Sequence, residues 1–425
     1  MRMKRYKQYK PTGISWLPEI PAHWDLAQLR KYLSLVSVKG KGDKQLLSVT
    51  REKGVIVRNV DDLEENHNFV PEDLSGYKYV QPGQFVINKM KSWQGSYGVS
   101  EYEGIVSPAY YVCNLSFPNK TFFSKAIRSR AYVDFFAQWS KGIRVGQWDL
   151  EPIALKSIPF FEPPIEEQEK IVAFLDKQIT LIESCKCQRE RELQTLNELK
   201  QAEIASAVTR GLNPNAPMKD SGQIQFGEIP AHWDSVKMKY CFTQRSEKGF
   251  PNEPVLCATQ SKGVIPQSLY ENRVVVVNKG FEGLKLVKVG DFVISLRSFQ
   301  GGIEYAYYQG IISAAYTILT PKDERNSQYF KYLFKSHPFI QLLQTCVTGI
   351  REGQNINYAV LGNNFIPIPP IEEQNAIVEY IEAKMNSIDK MIDALKAEID
   401  RLTEYKQRLI SDVVTGQLNV QDEIA

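Results

Sequence analysis

Ile20-Pro21-Ala22-His23-Trp24-Asp25 recurs letter for letter as Ile229-Pro230-Ala231-His232-Trp233-Asp234, and Pro163-Pro164-Ile165-Glu166-Glu167-Gln168 recurs as Pro369-Pro370-Ile371-Glu372-Glu373-Gln374. The first motif returns 209 residues on, Ile20 to Ile229, and the second 206 residues on, Pro163 to Pro369. The chain is therefore a tandem duplication of a whole module with almost no net change of length. A unit of ~200 residues far exceeds the period of about 20–50 residues typical of solenoids and propellers, so each copy must be a domain with its own core. Two such domains on one chain can read two similar targets at a fixed separation.

Each copy splits into two parts of different periodicity. The first part is built of short Val, Ile, Tyr and Phe runs broken by Gly, Pro and Asn, as in Gly83-Gln84-Phe85-Val86-Ile87-Asn88 and Gly290-Asp291-Phe292-Val293-Ile294-Ser295. These read as short strands and turns. Thr121–Trp139 and Gln328–Leu343 carry aromatics at helical spacing, read as core packing, so the class is α+β.

The second part is a long helix. The Pro-Pro pairs suit a helix start, and Glu-Glu places negative charge at the positive end of the dipole. In the second copy Val378, Ile381, Met385, Ile388, Ile392, Leu395, Ile399 and Leu402 alternate steps of three and four, an a/d seam. The first copy gives Val172, Leu175, Ile179, Ile182, then Lys186 and Arg189, then Leu193 and Leu196. The two cations read either as side chains snorkelling to solvent or as register setters. Glycine ends each helix, at Gly211 and Gly416. The expected division is a domain over 1–162, a helix over 163–212, a domain over 213–368 and a helix over 369–425. The two helices are expected to pair antiparallel, with an internal pseudo-two-fold repeat.

Composition limits the function classes. At 43% hydrophobic and 24% charged residues the 425-residue chain reads as globular. Its apolar runs fall far short of the ~20 residues of a bilayer span, and MRMKRYKQYK has no apolar signal core, so the expected location is cytoplasmic. The cysteines (Cys113, Cys185, Cys187, Cys241, Cys257, Cys346) form no C-x-x-C pair and only four histidines are present, which argues for reduced thiols and against a zinc site. The net charge of +3 is mild, so local pattern says more than the sum.

Motifs of catalysis are missing. There is no Gly-x-x-x-x-Gly-Lys phosphate loop, no dinucleotide fingerprint, no H-E-x-x-H and no Ser-centred nucleophile elbow. The Asn/Asp-Pro-Pro-aromatic tetrapeptide of amino-methyltransferases is absent too: Glu162-Pro163-Pro164-Ile165 is a helix start. Glu382-Ala383-Lys384 resembles the end of a nuclease motif but lies on the heptad helix, where it reads as solvated surface. The repeated His-Trp-Asp reads as a structural opening segment, since no second ligand lies nearby.

Two repeated loops suit nucleic acid. One carries Lys89, Lys91, Ser92, Trp93 and Gln94, matched by Arg297, Ser298, Phe299 and Gln300; the other carries Arg144 and Gln147, matched by Arg351, Gln354 and Asn355. Lys or Arg can pair with guanine or phosphate, Gln can bond adenine bidentately, and the flanking glycines let backbone approach a groove. The alternative makes Trp93 and Phe299 core anchors and leaves the neighbouring cations to meet DNA. Thr50–Ile56 and Thr259–Ile265 are a third matched pair, read as backbone contacts.

In this order, twice over, the motifs resemble the specificity subunit of type I restriction–modification systems. The resemblance spans the chain and implies paired target-recognition domains joined by an antiparallel coiled coil. It implies no catalytic residues and no cofactor in this chain, with S-adenosylmethionine, ATP and Mg expected in partner subunits. The partners implied are double-stranded DNA, two methyltransferase subunits and restriction subunits, and no membrane. One domain would read each half of an asymmetric bipartite site. Trp148, where the second copy has Asn355, departs from the family's common polar choice and puts contacts at that position in doubt. The competing readings are a coiled-coil scaffold that never touches DNA and a stand-alone DNA-modifying enzyme.

Overall fold

The structure is a computed structural model that describes residues 4–14, 17–59, 71, 73–144, 147–270, 280–322, 327–348 and 355–421, the side chains at 141, 143, 144, 147, 348 and 355 excepted. The chain forms two compact units, Met1–Arg189 with Ala397–Ala425, and Glu190–Lys396. These units cut across the four-part division expected along the chain, because each takes one end of both long helices into its own core.

In the first unit, Leu33–Val36, Tyr111–Leu115, Phe85–Ile87 and Tyr97–Val99 form an antiparallel sheet in that order. Phe85-Val86-Ile87 is buried at every position, which is why the run is apolar without alternation. Phe85 and Ile87 face an aromatic core built with the helices Lys120–Ile127 and Arg130–Trp139. Val86 faces a smaller cluster of Leu47, Val49, Val55, Val80, Val106 and Val112. Asn119 caps the first of those helices by accepting from Phe122 N at 2.9 Å, and Phe122, Phe123, Tyr132, Phe135 and Phe136 are all buried. The helically spaced aromatics are core, as expected.

The second unit repeats this plan. Phe242–Arg245, Thr317–Pro321, Phe292–Ile294 and Glu304–Tyr305 make the same sheet. Phe292 and Ile294 face Tyr329, Phe330, Phe334 and Phe339, and Val293 faces Leu256, Val264, Val287, Ile312 and Ile318.

Each domain closes on itself. Asp25–Gln28 pairs antiparallel with Pro159–Glu162, and Asp234–Lys237 with Phe365–Ile368. The strand that follows His-Trp is thus bonded to the strand that precedes Pro-Pro, which sets the two letter-identical motifs side by side.

The long helices are Ile165–Arg210, of 46 residues, and Ile371–Val414, of 44 residues. Within the first unit Glu183 pairs with Lys406 at 2.5 Å and Arg189 with Glu398 at 3.2 Å; within the second, Lys200 pairs with Asp389 at 2.6 Å and Glu203 with Lys384 at 3.2 Å. Residue numbers rise on one helix as they fall on the other, so the pairing in each unit is antiparallel. Arg189 is committed to a cross-helix ion pair rather than to solvent alone.

Seam burial is graded. Leu175, Ile182, Val378, Ile381, Met385, Ile388 and Ile392 are buried, whereas Val172, Ile179, Leu193, Leu196, Leu395, Ile399 and Leu402 are half-buried. Ile171, Phe174 and Ile377 lie off the seam yet are buried in the domain cores. The helix starts are therefore covered by their domain as well as by the partner helix, which a two-stranded heptad pattern does not encode. Among the described residues no helix is long and apolar enough to cross a membrane.

Candidate nucleic-acid interface

In the first unit the loop after Phe85–Ile87 folds into a 3-10 turn, Ser92–Gln94, ended by Gly95 at φ 94°. It is closed by Asn88 N to Ser96 O at 3.0 Å and Lys91 N to Asn88 O at 3.0 Å. Gly95 sits in the left-handed region that favours glycine, which explains the Gln-Gly pair. In the second unit Ser298–Gly301 forms one helical turn ended by Gly302 at φ 86°.

The structure brings the two expected loops of the first unit together. Trp93 stacks on Trp148 with ring centroids 5.4 Å apart and 29° between planes. Lys89 Nζ lies 3.0 Å from Asp149 Oδ2, a hydrogen bond that raises the lysine above its ordinary pKa. Leu150 N donates to Lys89 O at 3.2 Å. Trp148 and Asp149 belong to the hairpin of Lys141–Arg144 with Gln147–Asp149. In the second unit the hairpin of Val347–Thr348 with Asn355–Ile356 follows Gln344, which donates to Phe299 O at 3.4 Å.

The expected contact residues fall into distinct groups. Lys91, Arg297 and Gln300 are exposed and Gln94 is half-exposed, so these can reach a ligand. Ser92 and Ser298, expected among the contacts, are instead buried: Ser92 Oγ donates to Lys89 O at 3.1 Å, and Ser298 Oγ accepts from Ser295 N at 2.8 Å. Their hydroxyls brace the loop from within. Trp93 and Phe299 act as anchors, Trp93 on Trp148 and Phe299 against the second core. Arg144, Gln147 and Asn355 are described as strand backbone only, and Arg351 and Gln354 lie outside the described residues.

Sequence reasoning takes His-Trp-Asp as an opening segment and Pro-Pro-Ile-Glu-Glu-Gln as a helix start, and misses that the two motifs bind each other. Glu167 accepts from Trp24 Nε1 at 3.0 Å, sits 2.7 Å from His23 Nε2, and accepts from the Tyr6 hydroxyl. Glu373 repeats the arrangement, 2.9 Å from Trp233 Nε1 and 2.7 Å from His232 Nε2. Gln168 and Gln374 each donate back to the first proline carbonyl of their motif, at 2.8 and 2.9 Å. The end of the opposite helix packs on the same tryptophan. A Cβ on Gly416 would lie 2.3 Å from Pro21 Cδ and 3.1 Å from Trp24, and one on Gly211 would lie 3.1 Å from Trp233 and 3.0 Å from Glu373. Each histidine therefore belongs to a structural lock, as its reading as part of an opening segment implies. The signal that could have revealed the lock was the identity of both motifs in both copies.

Residues 230–401 match the family described as Type I restriction modification DNA specificity domain. The MjaX specificity subunit of a type I restriction enzyme from Methanocaldococcus jannaschii is 24% identical, with 99% of each chain covered. The MjaVIII specificity subunit of the same organism is 26% identical over 68% of each chain. A chain solved for the complex assembly and conformational transition of the type I R-M system shares the fold at a TM-score of 0.65 and 16% identity, covering 94% of this chain and 99% of that one. With this fold, repeated twice, and likeness along its length, the chain is similar to type I restriction enzyme specificity subunits, and its residues 230–401 resemble their DNA specificity domain.

Proposed function

We propose that this chain is the DNA-recognition subunit of a type I restriction–modification assembly and performs no catalysis itself. Each unit presents one pair of loops to one half of an asymmetric bipartite site, with Lys91 and Gln94 in the first unit and Arg297 and Gln300 in the second as the base-reading side chains. Arg144, Gln147, Arg351, Gln354 and Asn355 complete the two surfaces from the hairpins. The long helices set the spacer and offer charged flanks to two methyltransferase subunits. S-adenosylmethionine, with any flipped adenine, is held by those partners, and ATP with Mg by restriction subunits.

The observation that best supports the reading is that loops some 50 residues apart in sequence meet in the first unit, through Trp93–Trp148 and Lys89–Asp149, and that both loops recur in the second copy. A scaffold that never touched DNA would have no use for cation- and glutamine-bearing loops repeated beside an anchored aromatic. Methylation-aware sequencing of DNA from cells expressing the chain with its methyltransferase partner tests this directly. A single interrupted, asymmetric methylated sequence is expected, absent without this chain; methylation that is unchanged by deleting the chain overturns the proposal.

A further inference from the structure

One contact recurs in both units, made by a cation that belongs to neither expected loop. Arg128 stands at the C-terminal cap of Lys120–Ile127. Its Nη1 donates to Tyr97 O at 2.7 Å, and its Nη2 donates to Arg51 O at 2.9 Å and Glu52 O at 2.8 Å. Tyr97 ends the loop that carries Lys91 and Gln94. Arg51 and Glu52 form the turn of the hairpin Leu47–Thr50 with Gly54–Val57, the third matched segment of the sequence.

The second unit places Lys335 at the same point, 207 residues on, again immediately before the serine that starts the next helix (Ser129, Ser336). Lys335 Nζ donates to Gly301 O at 2.8 Å and Gln260 O at 3.3 Å, and pairs with Glu304 Oε1 at 2.6 Å. Gly301 closes the loop of Arg297 and Gln300, and Gln260 lies in the turn matching Arg51. In both units, then, one cation on a helix end ties together the same two loops.

The substitution between copies is compensated. Strand pairing sets Glu304 opposite Val293 in the second unit where Gly98 stands opposite Val86 in the first. The guanidinium fork of Arg128 spans three carbonyls in the space that Gly98 leaves open, whereas the single ammonium of Lys335 takes two carbonyls and a carboxylate. Glycine is required beside the cation in the first unit: a Cβ on Gly54 would lie 2.7 Å from Arg128 Nη1, at a φ of +74°. Two chemically different solutions that join the same two loops, through Tyr97 O or Gly301 O on one side and the Arg51 and Glu52 or Gln260 carbonyls on the other, identify a device rather than a chance contact.

We propose that Arg128 and Lys335 are positioning residues that fix the two loops of their own unit into a single recognition surface. Neither needs to touch DNA; each acts through backbone carbonyls of the loop that carries the reading side chains and of the hairpin turn beside it. The link to recognition rests on the function proposed above, but the clamp itself does not.

The test uses the full chain, alone and with its methyltransferase partner. Hydrogen exchange of Arg128→Ala should show residues 51–54 and 88–98 opening together at least about tenfold faster, as loss of several charge-assisted bonds implies. Exchange in Tyr111–Leu115 and in the second unit should stay unchanged. In the complex, Arg128→Ala should relax one half of the methylated sequence and Lys335→Met the other, with Arg128→Lys restoring part of the first. Should Arg128→Ala unfold its unit, seen as lost protection in Tyr111–Leu115, Arg128→Lys and Lys335→Met carry the same comparison. Unchanged exchange in either loop overturns the clamp whatever the DNA result. Loops that open while both half-sites stay sharply read overturn its role in recognition. If the parent complex methylates no bipartite sequence, the function fails and the exchange experiment still decides the clamp.

Discussion

Replacing Glu167 by alanine should unlock the start of the first long helix. The carboxylate is buried at 6% exposure and satisfies Trp24 Nε1, His23 Nε2 and the Tyr6 hydroxyl at once. Trp24 is itself fully buried, so its indole N–H has no water to turn to when the acceptor goes. A hydrogen bond to a charged group is worth about 1.5–3 kcal/mol, and an orphaned buried donor costs a further ~1–3 kcal/mol. His23 is half-exposed and can rehydrate, so its share is small. The expected loss is therefore about 3–5 kcal/mol in the first unit. For a unit of some two hundred residues, about 2–4 °C per kcal/mol translates this into a fall of roughly 6–20 °C in its transition. Glu167→Gln, which keeps an acceptor for Trp24, should lose about half as much, and the exposed neighbour Glu166→Ala no more than about 0.5 kcal/mol. Calorimetry with tryptophan fluorescence follows the transition, and hydrogen exchange assigns it to the unit. A Glu167→Ala protein as stable as Glu166→Ala would refute the reasoning.

Other outcomes follow from the same geometry. Burial pushes Glu304 from 4.5 to about 7, outweighing its ion pair with Lys335. The proton is held more tightly in the folded state, so this stabilisation is complete below pH 4.5 and lost as pH rises through about 7. At about 1.4 kcal/mol per decade, the parent should lose about 3 kcal/mol relative to Glu304→Gln across that range, measured by denaturant titration at several pH values; parallel curves would reject it. Gly416→Ala should destabilise more than Gly211→Ala, because its Cβ would lie 2.3 Å from Pro21 against a nearest contact of 3.0 Å at Gly211, with nearly equal φ values; equal melting temperatures would count against this. A double-mutant cycle of Trp93→Ala and Trp148→Ala should give a coupling of about 0.5–1.5 kcal/mol, and zero coupling would deny the stack. Arg297→Ala should cost about 1–3 kcal/mol in DNA binding by the assembled complex and relax one half-site only, read by methylation sequencing; an unchanged motif removes Arg297 from the surface.

The sequence disclosed the features that depend on local pattern. The long helices with their glycine stops are visible because a 3.5-residue period and a helix-ending glycine act within a few turns. The aromatic helices are visible for the same reason. What stayed hidden depends on meetings between distant segments. Ser92 and Ser298 look like contact residues in a one-dimensional loop, and only the fold shows their hydroxyls turned inward. Arg128 carries no motif at all, since its partners are backbone carbonyls 31, 76 and 77 residues away, and carbonyls leave no trace in residue identity. Ile171, Phe174 and Ile377 were invisible to a seam that assumes only one partner helix, because the domain supplies a third packing surface.

The two copies differ in ways that sort by physical role. Where a side chain meets another side chain in a buried lock, as Trp24 and Trp233 meet Glu167 and Glu373, the copies are identical, because neither partner can change alone without orphaning a buried group. Where a side chain meets backbone, as Arg128 and Lys335 do, the residue type changes while the charge is kept, since a carbonyl accepts from either cation. Where a side chain projects outward, as the cations Lys91 and Arg297 and the glutamines Gln94 and Gln300 do, the copies keep the chemical type although neither packing nor internal hydrogen bonding among the described residues dictates it. What keeps them is therefore outside the fold. A duplicated chain with an unchanging lock and a charge-preserving clamp holds one fold in both copies and leaves its outward cation and glutamine to answer to something other than that fold.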